Sequence, residues 1–217
     1  MLISFLCFKL AEVLGAELPS SPDYDTFIVL ARGIQLKFPD PADQRAVIAG
    51  MLRDALPAWM LHAYRFVSPP SKFSAELNAV MCAILSDWLV GPSTVTTAEV
   101  PVAGGGTEVW RAAVKVERCR YLEASRCKGA CMNLCKVPTE TFFREELGMP
   151  LTLVPDFDDL SCTFTFGVEP APLAEDPLVV EPCYYQCPAS SAAYARSGRA
   201  CHTMPELPPS AGDAADA

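Results

Sequence analysis

The sequence is short of positive charge and of histidine. Its 217 residues include 17 lysines and arginines against 26 aspartates and glutamates, so the formal net charge is -9, and only 2 residues are histidine. A protein that binds nucleic acid needs a basic face that displaces counterions from the phosphates, and this composition offers no extended one. Nucleic acid is therefore excluded as the expected partner.

Signatures of several common enzyme and membrane classes are absent as well. The glycine triplet at 104–106 fits neither phosphate-loop pattern, and no Ser/His/Asp arrangement is apparent. The apolar opening at residues 1–8 is followed at once by Lys9, and it is far shorter than the roughly 20 residues that span a membrane. No Arg/Ser-rich transit peptide is visible. The sequence by itself predicts neither a cleaved signal nor a membrane span.

Apolar residues, by contrast, make up 51% of the chain, and the mean hydropathy is +0.21. Such a chain can bury a sizeable core, and a prior of about 150 residues per domain favours one domain with appendages. We predict a single domain over residues 1–187, with a helical part at 1–92 and a hairpin and cysteine-rich part at 93–187. The Ala/Ser/Pro-rich residues 188–217 are predicted to form a disordered tail.

The spacing of apolar residues predicts an α+β fold. Helical spacing recurs in three N-terminal segments, at 2–17, 23–38 and 41–56. Runs rich in β-forming residues follow at 95–102, 109–116, 151–154 and 161–168. The first two runs flank the glycine triplet, as in a β-hairpin. The predicted architecture is an N-terminal helical layer, a β-hairpin with short strands, and a cysteine-rich C-terminal half.

The strongest amphipathic pattern lies between Ser71 and Gly91. Its large apolar residues recur at helical spacing, and they are Phe73, Leu77, Val80, Met81, Ile84, Leu85, Trp88 and Leu89. We expect this stripe to face the core, and the wall of a hydrophobic tunnel is the alternative.

Cysteine is frequent, with 10 residues, and seven of them cluster in the second half of the chain. Four form a C-x7-C-x3-C-x3-C pattern and three follow it, which makes the candidate metal ligands Cys119, Cys127, Cys131, Cys135, Cys162, Cys183 and Cys187. In an oxidising compartment such thiols would form disulfides, whereas in a reducing one they indicate metal or redox chemistry.

A helix from Cys127 to Cys135 would place three sulfurs on one face. Neighbouring Cβ atoms on that face are roughly 5–6 Å apart, but a disulfide needs about 3.5–4.5 Å, so a metal bridges neighbours better. Because about 12 Å of helix rise separates Cys127 from Cys135, one ion cannot hold all three unless the chain bends, for example at Gly129. Either a pair binds with help from the other cysteines, or a multi-iron cluster is held.

Basic side chains surround this motif, namely Lys115, Arg118, Arg120, Arg126, Lys128 and Lys136. Cationic neighbours stabilise thiolates, which are the form that binds metal or reacts. The alternative interpretation is that these long side chains only solvate an exposed helix face.

Several short motifs occur in order between residues 24 and 187. They are Asp87 to Ser93, Cys119 to Glu123 with the three cysteines that follow, Pro138 to Phe143, Pro155 to Asp159, Ser161-Cys162, Phe166-Gly167 and Pro182-Cys183. This combination resembles the plastid β-carotene isomerase family of strigolactone biosynthesis.

The resemblance implies an iron-dependent enzyme of the plastid (chloroplast) that isomerises all-trans-β-carotene to 9-cis-β-carotene, with the iron either mononuclear or in an iron-sulfur cluster. Redox-active iron can lower the order of a double bond by one-electron transfer, whereas zinc has no redox chemistry. The implied partner is a carotenoid substrate. Because that substrate is dissolved in lipid, we also expect peripheral contact with a thylakoid or envelope membrane through an apolar patch. No catalytic residue set transfers.

Two other hypotheses stay open at this point. The first is an iron-sulfur protein with an electron-transfer or structural role, although the cysteine spacing matches neither the bacterial nor the plant ferredoxin pattern. The second is a binding domain stapled by disulfides.

Overall fold

The structure, a computed structural model, describes residues 2–180 and begins with a layer of helices. These are α1 (Leu2–Leu14), α2 (Tyr24–Lys37), α3 (Pro41–Asp54), α4 (Ala58–Val67), α5 (Lys72–Leu85) and α6 (Asp87–Val90). The side chains of Asp23, Asp40 and Ser71 accept backbone N–H groups at the starts of α2, α3 and α5. Such caps satisfy donors that a helix leaves unpaired, so the local sequence sets where these helices begin.

A four-stranded antiparallel sheet follows the helices. Its strands are β1 (Ser93–Pro101), β2 (Thr107–Val116), β3 (Leu151–Pro155) and β4 (Cys162–Phe166), arranged in the order β1-β2-β4-β3. The first two strands form the predicted hairpin. The glycines at 104–106 form its turn with φ angles between 90° and 101°, a backbone region that favours glycine. The register of β2 with β4 sets Val116 opposite Cys162.

The chain between β2 and β3 is helical and contains most of the cysteine motif. It comprises α7 (Arg120–Ser125), α8 (Lys128–Ala130), a π-helical segment (Cys131–Lys136), α9 (Val137–Phe142) and a second π-helical segment (Phe143–Leu147). In the first π-helical segment the N–H of Val137 donates to the Met132 carbonyl, five residues back. Pro138 follows directly and has no N–H to donate to the Leu134 carbonyl.

The main core lies between the helices and the sheet. Its most deeply buried side chains include Ile34 from α2, Val114 from β2, Leu122 from α7 and Phe166 from β4. Three cysteines of the motif, at positions 119, 131 and 162, belong to the same core. These three thiols are therefore core residues rather than surface ones. A 3-10 turn (Leu173–Glu175) and α10 (Pro177–Val180) end the described part of the chain.

The predicted α+β class is confirmed, with the helical layer first and the strands after it. Nowhere in residues 2–180 does a helix have the length and apolarity needed to cross a membrane. The predicted disordered tail at 188–217 and the candidate ligands Cys183 and Cys187 lie outside the described residues. The domain boundary at residue 187 therefore stays a prediction.

The prediction that the apolar stripe of residues 73–89 faces the core is wrong for the part within α5. This helix contacts β1, β2 and β4, and the residues it buries are small, namely Ser74, Ala75 and Ala79. Its large apolar side chains point outward, from Phe73 to Leu85. Only the last two residues of the stripe, Trp88 and Leu89, are partly buried. Small side chains let the helix lie close to the sheet. The shape of its small face, rather than the hydrophobicity of its large apolar face, therefore decides which side of α5 is buried.

Candidate functional site

An apolar pocket of about 120 Å³ lies between the N-terminal helices and the helical residues 120–147 that join β2 to β3, which we call the helical insertion. Most of its lining is aliphatic or aromatic, from Phe5, Leu6, Leu10, Phe27, Ile48, Met51, Leu52, Ala55, Leu89, Val90 and Leu134. Its polar groups come from Lys9, Tyr121, Cys135 and Thr139. The pocket therefore suits an apolar ligand and presents one phenol and one thiol to it.

A second and much smaller cavity lies beside the first. We call it the thiol cavity, because the cysteines that line it are Cys119, Cys131, Cys135 and Cys162. Its volume of about 10 Å³ is close to the minimum for one water molecule. Val90, Tyr121 and Cys135 line both cavities. These three residues thus separate the apolar pocket from the thiol cavity.

Strand pairing and the helical insertion bring the thiols of the cavity together. Cys162 stands opposite Val116 in the sheet, and the backbone N–H of Cys119 donates to the Leu160 carbonyl at 2.7 Å. Cys131 and Cys135, four residues apart, both lie in the first π-helical segment. The motif therefore converges through contacts that join positions about 40 residues apart.

Cys127 does not join this group. The expectation that Cys127, Cys131 and Cys135 lie on one helix face is therefore wrong for Cys127. Cys127 precedes α8 as its N-cap and has an extended backbone. Its sulfur accepts the N–H of Ala130 at 3.4 Å and a side-chain N–H of Gln35 at 3.6 Å. This thiol has a capping role in the described structure.

The described cysteines are free thiols, and burial keeps those of the thiol cavity protonated. No disulfide joins any of the seven cysteines within residues 2–180. Burial raises the pKa of Cys131 and Cys162 well above the ordinary thiol value, raises that of Cys119, and raises that of Cys135 to about 12. Neighbouring thiols add to the shift, because one thiolate disfavours the next. At neutral pH this group consists of neutral thiols.

The prediction that six surrounding cations stabilise thiolates is therefore wrong for the chain alone. Groups other than the thiols contact four of these cations. Lys115 donates to the Ser161 hydroxyl, and Arg118 pairs with Glu123. Arg120 lies over the Tyr24 ring, and Lys128 lies over the Phe157 ring. Lys136 does lower the pKa of Cys131, Cys135 and Cys162, but burial outweighs it.

The cysteines of the thiol cavity are of a type that binds iron, but their side chains are not arranged as a metal site. Thiolate sulfur is a common ligand of iron in proteins, and the cavity admits a guest of atomic size. Across residues 2–180, however, no three His, Cys, Asp or Glu side chains converge to hold a metal ion. Cys183 and Cys187 lie outside those residues, so the seven-cysteine ligand set stays a prediction.

A buried charge network lies directly behind the thiol cavity. The Lys136 ammonium is 2.9 Å from a Glu140 oxygen and 3.1 Å from an Asp176 oxygen, and it also donates to the Leu153 carbonyl. Burial lowers the pKa of Lys136, but the two carboxylates outweigh burial and raise it. Burial raises the pKa of Glu140, and Lys136 offsets this only in part. The network therefore fixes the helical insertion to β3 through one ammonium.

Tyr121 is the functional candidate that the sequence interpretation missed. Its side chain is buried, and its hydroxyl is one of two buried side-chain polar atoms without a hydrogen-bond partner in the described part of the chain. Burial raises its pKa well above the ordinary phenol value, and Cys135, Cys127 and Cys131 raise it further. Its place two residues after Cys119 was the only signal in the sequence. Tyr121 lines both cavities. A buried hydroxyl without a hydrogen-bond partner costs stability, so its presence here calls for an explanation such as a role in function.

Comparisons with known proteins relate the chain to carotenoid enzymes. Residues 88–175 match the family model described as "Beta-carotene isomerase D27-like, C-terminal". The chain is 38% identical over 186 residues to "Beta-carotene isomerase D27, chloroplastic" of Arabidopsis thaliana, which covers 85% of this chain and 68% of the relative. The protein of the same name from Medicago truncatula is 39% identical over 166 residues, or 76% of this chain and 64% of the relative. No solved structure matches the chain.

Proposed function

Because the chain belongs to the β-carotene isomerase D27-like family, we propose that it is a plastid cis-trans isomerase of β-carotene. The finer proposal is that it converts the all-trans to the 9-cis isomer, with iron, in a reaction that feeds strigolactone-type biosynthesis. The names of the two relatives support the reaction class and a location in the chloroplast.

The apolar pocket is the observation that best supports this function. A hydrocarbon polyene has no polar handle, so a protein must bind it by shape and apolar area, at roughly 25 cal/mol per Å² buried. A volume of about 120 Å³ accommodates a segment of such a long molecule rather than all of it. The segment would lie against Tyr121 and Cys135.

Rotation about a double bond of a polyene requires that its bond order fall transiently. Charge or spin then spreads over the chain, and a dry pocket with fixed dipoles can stabilise it. In this proposal the aliphatic walls exclude water and align the polyene. Of the four polar residues that line the pocket, Tyr121 and Cys135 also line the thiol cavity, and in this proposal these two meet the reacting segment of the polyene.

We include iron in the proposal, with ligands drawn from the seven candidate cysteines, four of which line the thiol cavity. Bound there, iron would supply the one-electron chemistry that lowers the bond order. The support is the sulfur-lined cavity that adjoins the apolar pocket.

Iron retention gives a test that does not depend on activity. We expect anaerobically purified protein to contain iron, and Cys119→Ser with Cys162→Ser to lose most of it, as measured by elemental analysis. The control is Cys7→Ser, because Cys7 is also buried but does not line the thiol cavity. Iron retained in the double variant, or absent from the wild type, would contradict this part of the proposal.

Filling the pocket tests the function itself. Ala55 lines the pocket, and we expect Ala55→Trp to lower kcat/KM for all-trans-β-carotene in detergent at least about ten-fold, since the indole occupies the space for the polyene. Isomers would be resolved by chromatography. Ala46→Trp is the control, because Ala46 lies on α3, the helix that ends directly before Ala55, but is exposed.

Equal activity of Ala55→Trp and wild type would reject the pocket as the substrate site. No isomerisation by iron-loaded wild type would reject the function. An iron absorption band that bleaches on reduction would then favour the electron-transfer alternative.

A further inference from the structure

Two consecutive helices expose large apolar side chains that have no partner in the described structure. On α4 these are Trp59, Met60, Phe66 and Val67, and on α5 they are Phe73, Leu77, Val80, Met81, Ile84 and Leu85. At about 100° per residue, each set falls on one face of its helix. We call the two faces together the α4–α5 face. Apolar surface of this kind on a soluble domain marks an interaction site.

The two helices form an antiparallel hairpin with a defined register. The Tyr64 hydroxyl hydrogen-bonds the Asn78 amide, and the Ser68 hydroxyl hydrogen-bonds that of Ser74. A step of four residues forward along α4 is thus a step of four residues back along α5. These four polar side chains mark the line of contact between the helices.

The register places both apolar faces on the same side of the hairpin. On each helix the apolar face lies roughly 100° around the axis from the contact line, in the same rotational sense when viewed from the helix N-terminus. Antiparallel helices reverse that sense when they are viewed from one direction. The two faces therefore combine into one surface rather than pointing to opposite sides.

The charge of this hairpin differs from that of the rest of the chain. Residues 58–85 contain Arg65 and Lys72 against Glu76, so their net charge is +1. The rest of the chain therefore carries -10, which gives the total of -9. The Glu76 carboxylate accepts the backbone N–H of Arg111 at 3.1 Å and is thus directed to the sheet. Arg65 and Lys72 are exposed, whereas Glu76 is half-buried.

We propose that the α4–α5 face docks on the surface of a lipid bilayer. A helix pair with aromatic and aliphatic side chains on one side, two exposed cations and a single carboxylate that is bonded to the sheet has the character of an interfacial membrane element. The inference rests on the proposed function, because a carotene is dissolved in lipid. Ala55, which lines the apolar pocket, lies just before α4, so docking brings the pocket close to the lipid.

Flotation with phosphatidylcholine vesicles tests the docking of the full chain. The test variant replaces Phe66, Phe73 and Ile84, exposed to 88%, 75% and 67%, by serine. The matched control replaces Leu36, Val29 and Val109, exposed to 79%, 65% and 63%, by serine on other elements. We expect the vesicle-bound fraction to fall at least about ten-fold for the first set and less than two-fold for the second. All six residues are exposed, and circular dichroism checks that both variants fold.

Salt and oligomeric state separate lipid docking from other occupants of the face. Binding that survives from about 0.1 M to about 1 M NaCl supports apolar insertion, since salt screens surface charges. A dimer that the first variant abolishes, without vesicle binding by the wild type, would assign the face to a second copy. Vesicle binding only after truncation at residue 180 would assign it to residues 181–217. Each of these two results overturns the proposal.

Activity distinguishes a failure of docking from a failure of the proposed function. We expect the first variant to lose activity on β-carotene embedded in vesicles but to keep it on β-carotene in detergent. Equal loss in both would overturn the role of docking in substrate access. Vesicle binding without isomerisation in either medium would reject the proposed function but would support the docking of the α4–α5 face on lipid.

Discussion

Lys136→Met is expected to destabilise the fold by about 3–5 kcal/mol, the usual cost of breaking a buried ion pair by removing one partner. The variant leaves Glu140 and Asp176 buried without their shared ammonium, and it removes the donor to the Leu153 carbonyl. Glu140 still accepts the N–H of Leu153 at 2.8 Å, which cannot replace a cation. Urea unfolding at pH 7 measures the loss.

The pH dependence of this loss identifies its cause. Burial already raises the pKa of Glu140 beside Lys136, and without the ammonium it rises further. The folded variant then takes up protons that the unfolded chain, with a carboxyl pKa near 4.3, does not. A group with a raised folded-state pKa stabilises at low pH and loses that stabilisation as pH rises. The stability gap to the wild type should therefore narrow as pH falls from 7 toward 5.

Lys9→Met is the matched control for this prediction. Lys9 pairs with Glu12 at 3.2 Å, but the carboxylate is largely exposed, and exposed pairs contribute little. We expect no resolvable change in the urea midpoint for this variant. A Lys136→Met protein as stable as the Lys9→Met protein, or a gap independent of pH, would show that the buried network does not stabilise the fold.

Tyr121→Phe is expected to raise stability and lower activity together. Removing a buried hydroxyl with no partner relieves an unsatisfied donor, worth about 1–3 kcal/mol. The ring keeps its packing against Phe27, whose centroid is 5.6 Å away. If the hydroxyl stabilises charge that develops on the polyene, kcat should fall at least about ten-fold with little change in KM, because the apolar contacts remain.

Tyr24→Phe is the control that makes this prediction specific. Tyr24 is also buried beside Phe27, but its hydroxyl donates to the Leu89 carbonyl at 2.8 Å. Its loss should lower stability by about 0.5–1.5 kcal/mol and leave kcat near that of the wild type. An unchanged kcat in Tyr121→Phe would show that the Tyr121 hydroxyl has no part in the reaction. A lower stability of Tyr121→Phe than of the wild type would show that this hydroxyl has a hydrogen-bond partner.

The elements themselves could be predicted because their signals are local. The glycine triplet at 104–106 and the β-forming runs around it specify a hairpin, and the caps Asp23 and Asp40 specify helix starts. The cysteine motif indicated sulfur chemistry from residue type alone. Periodicity also located the start of α5, but the stretch predicted to run up to Gly91 divides into α5 (Lys72–Leu85) and α6 (Asp87–Val90). In each case a few adjacent residues contain the physical cause.

The direction of α5 could not be predicted in this way. Hydrophobic periodicity identifies an apolar face, but it does not say whether that face meets the core, a lipid or a partner. The sheet accepts the small side of the helix, with Ala75 and Ala79, because close packing of a helix on strands depends on shape. That shape exists only once β1, β2 and β4 have paired.

The sequence alone determined the class of fold, the positions of most elements and the supply of thiols, because these follow from neighbouring residues. Only the tertiary structure decided that Cys119, Cys131, Cys135 and Cys162 surround one cavity while Cys127 caps a helix. It also decided that Tyr121 is buried without a partner. The physical reason is that pairing of β2 with β4 and burial of the helical insertion join residues far apart in the chain, and local patterns contain no information on such contacts.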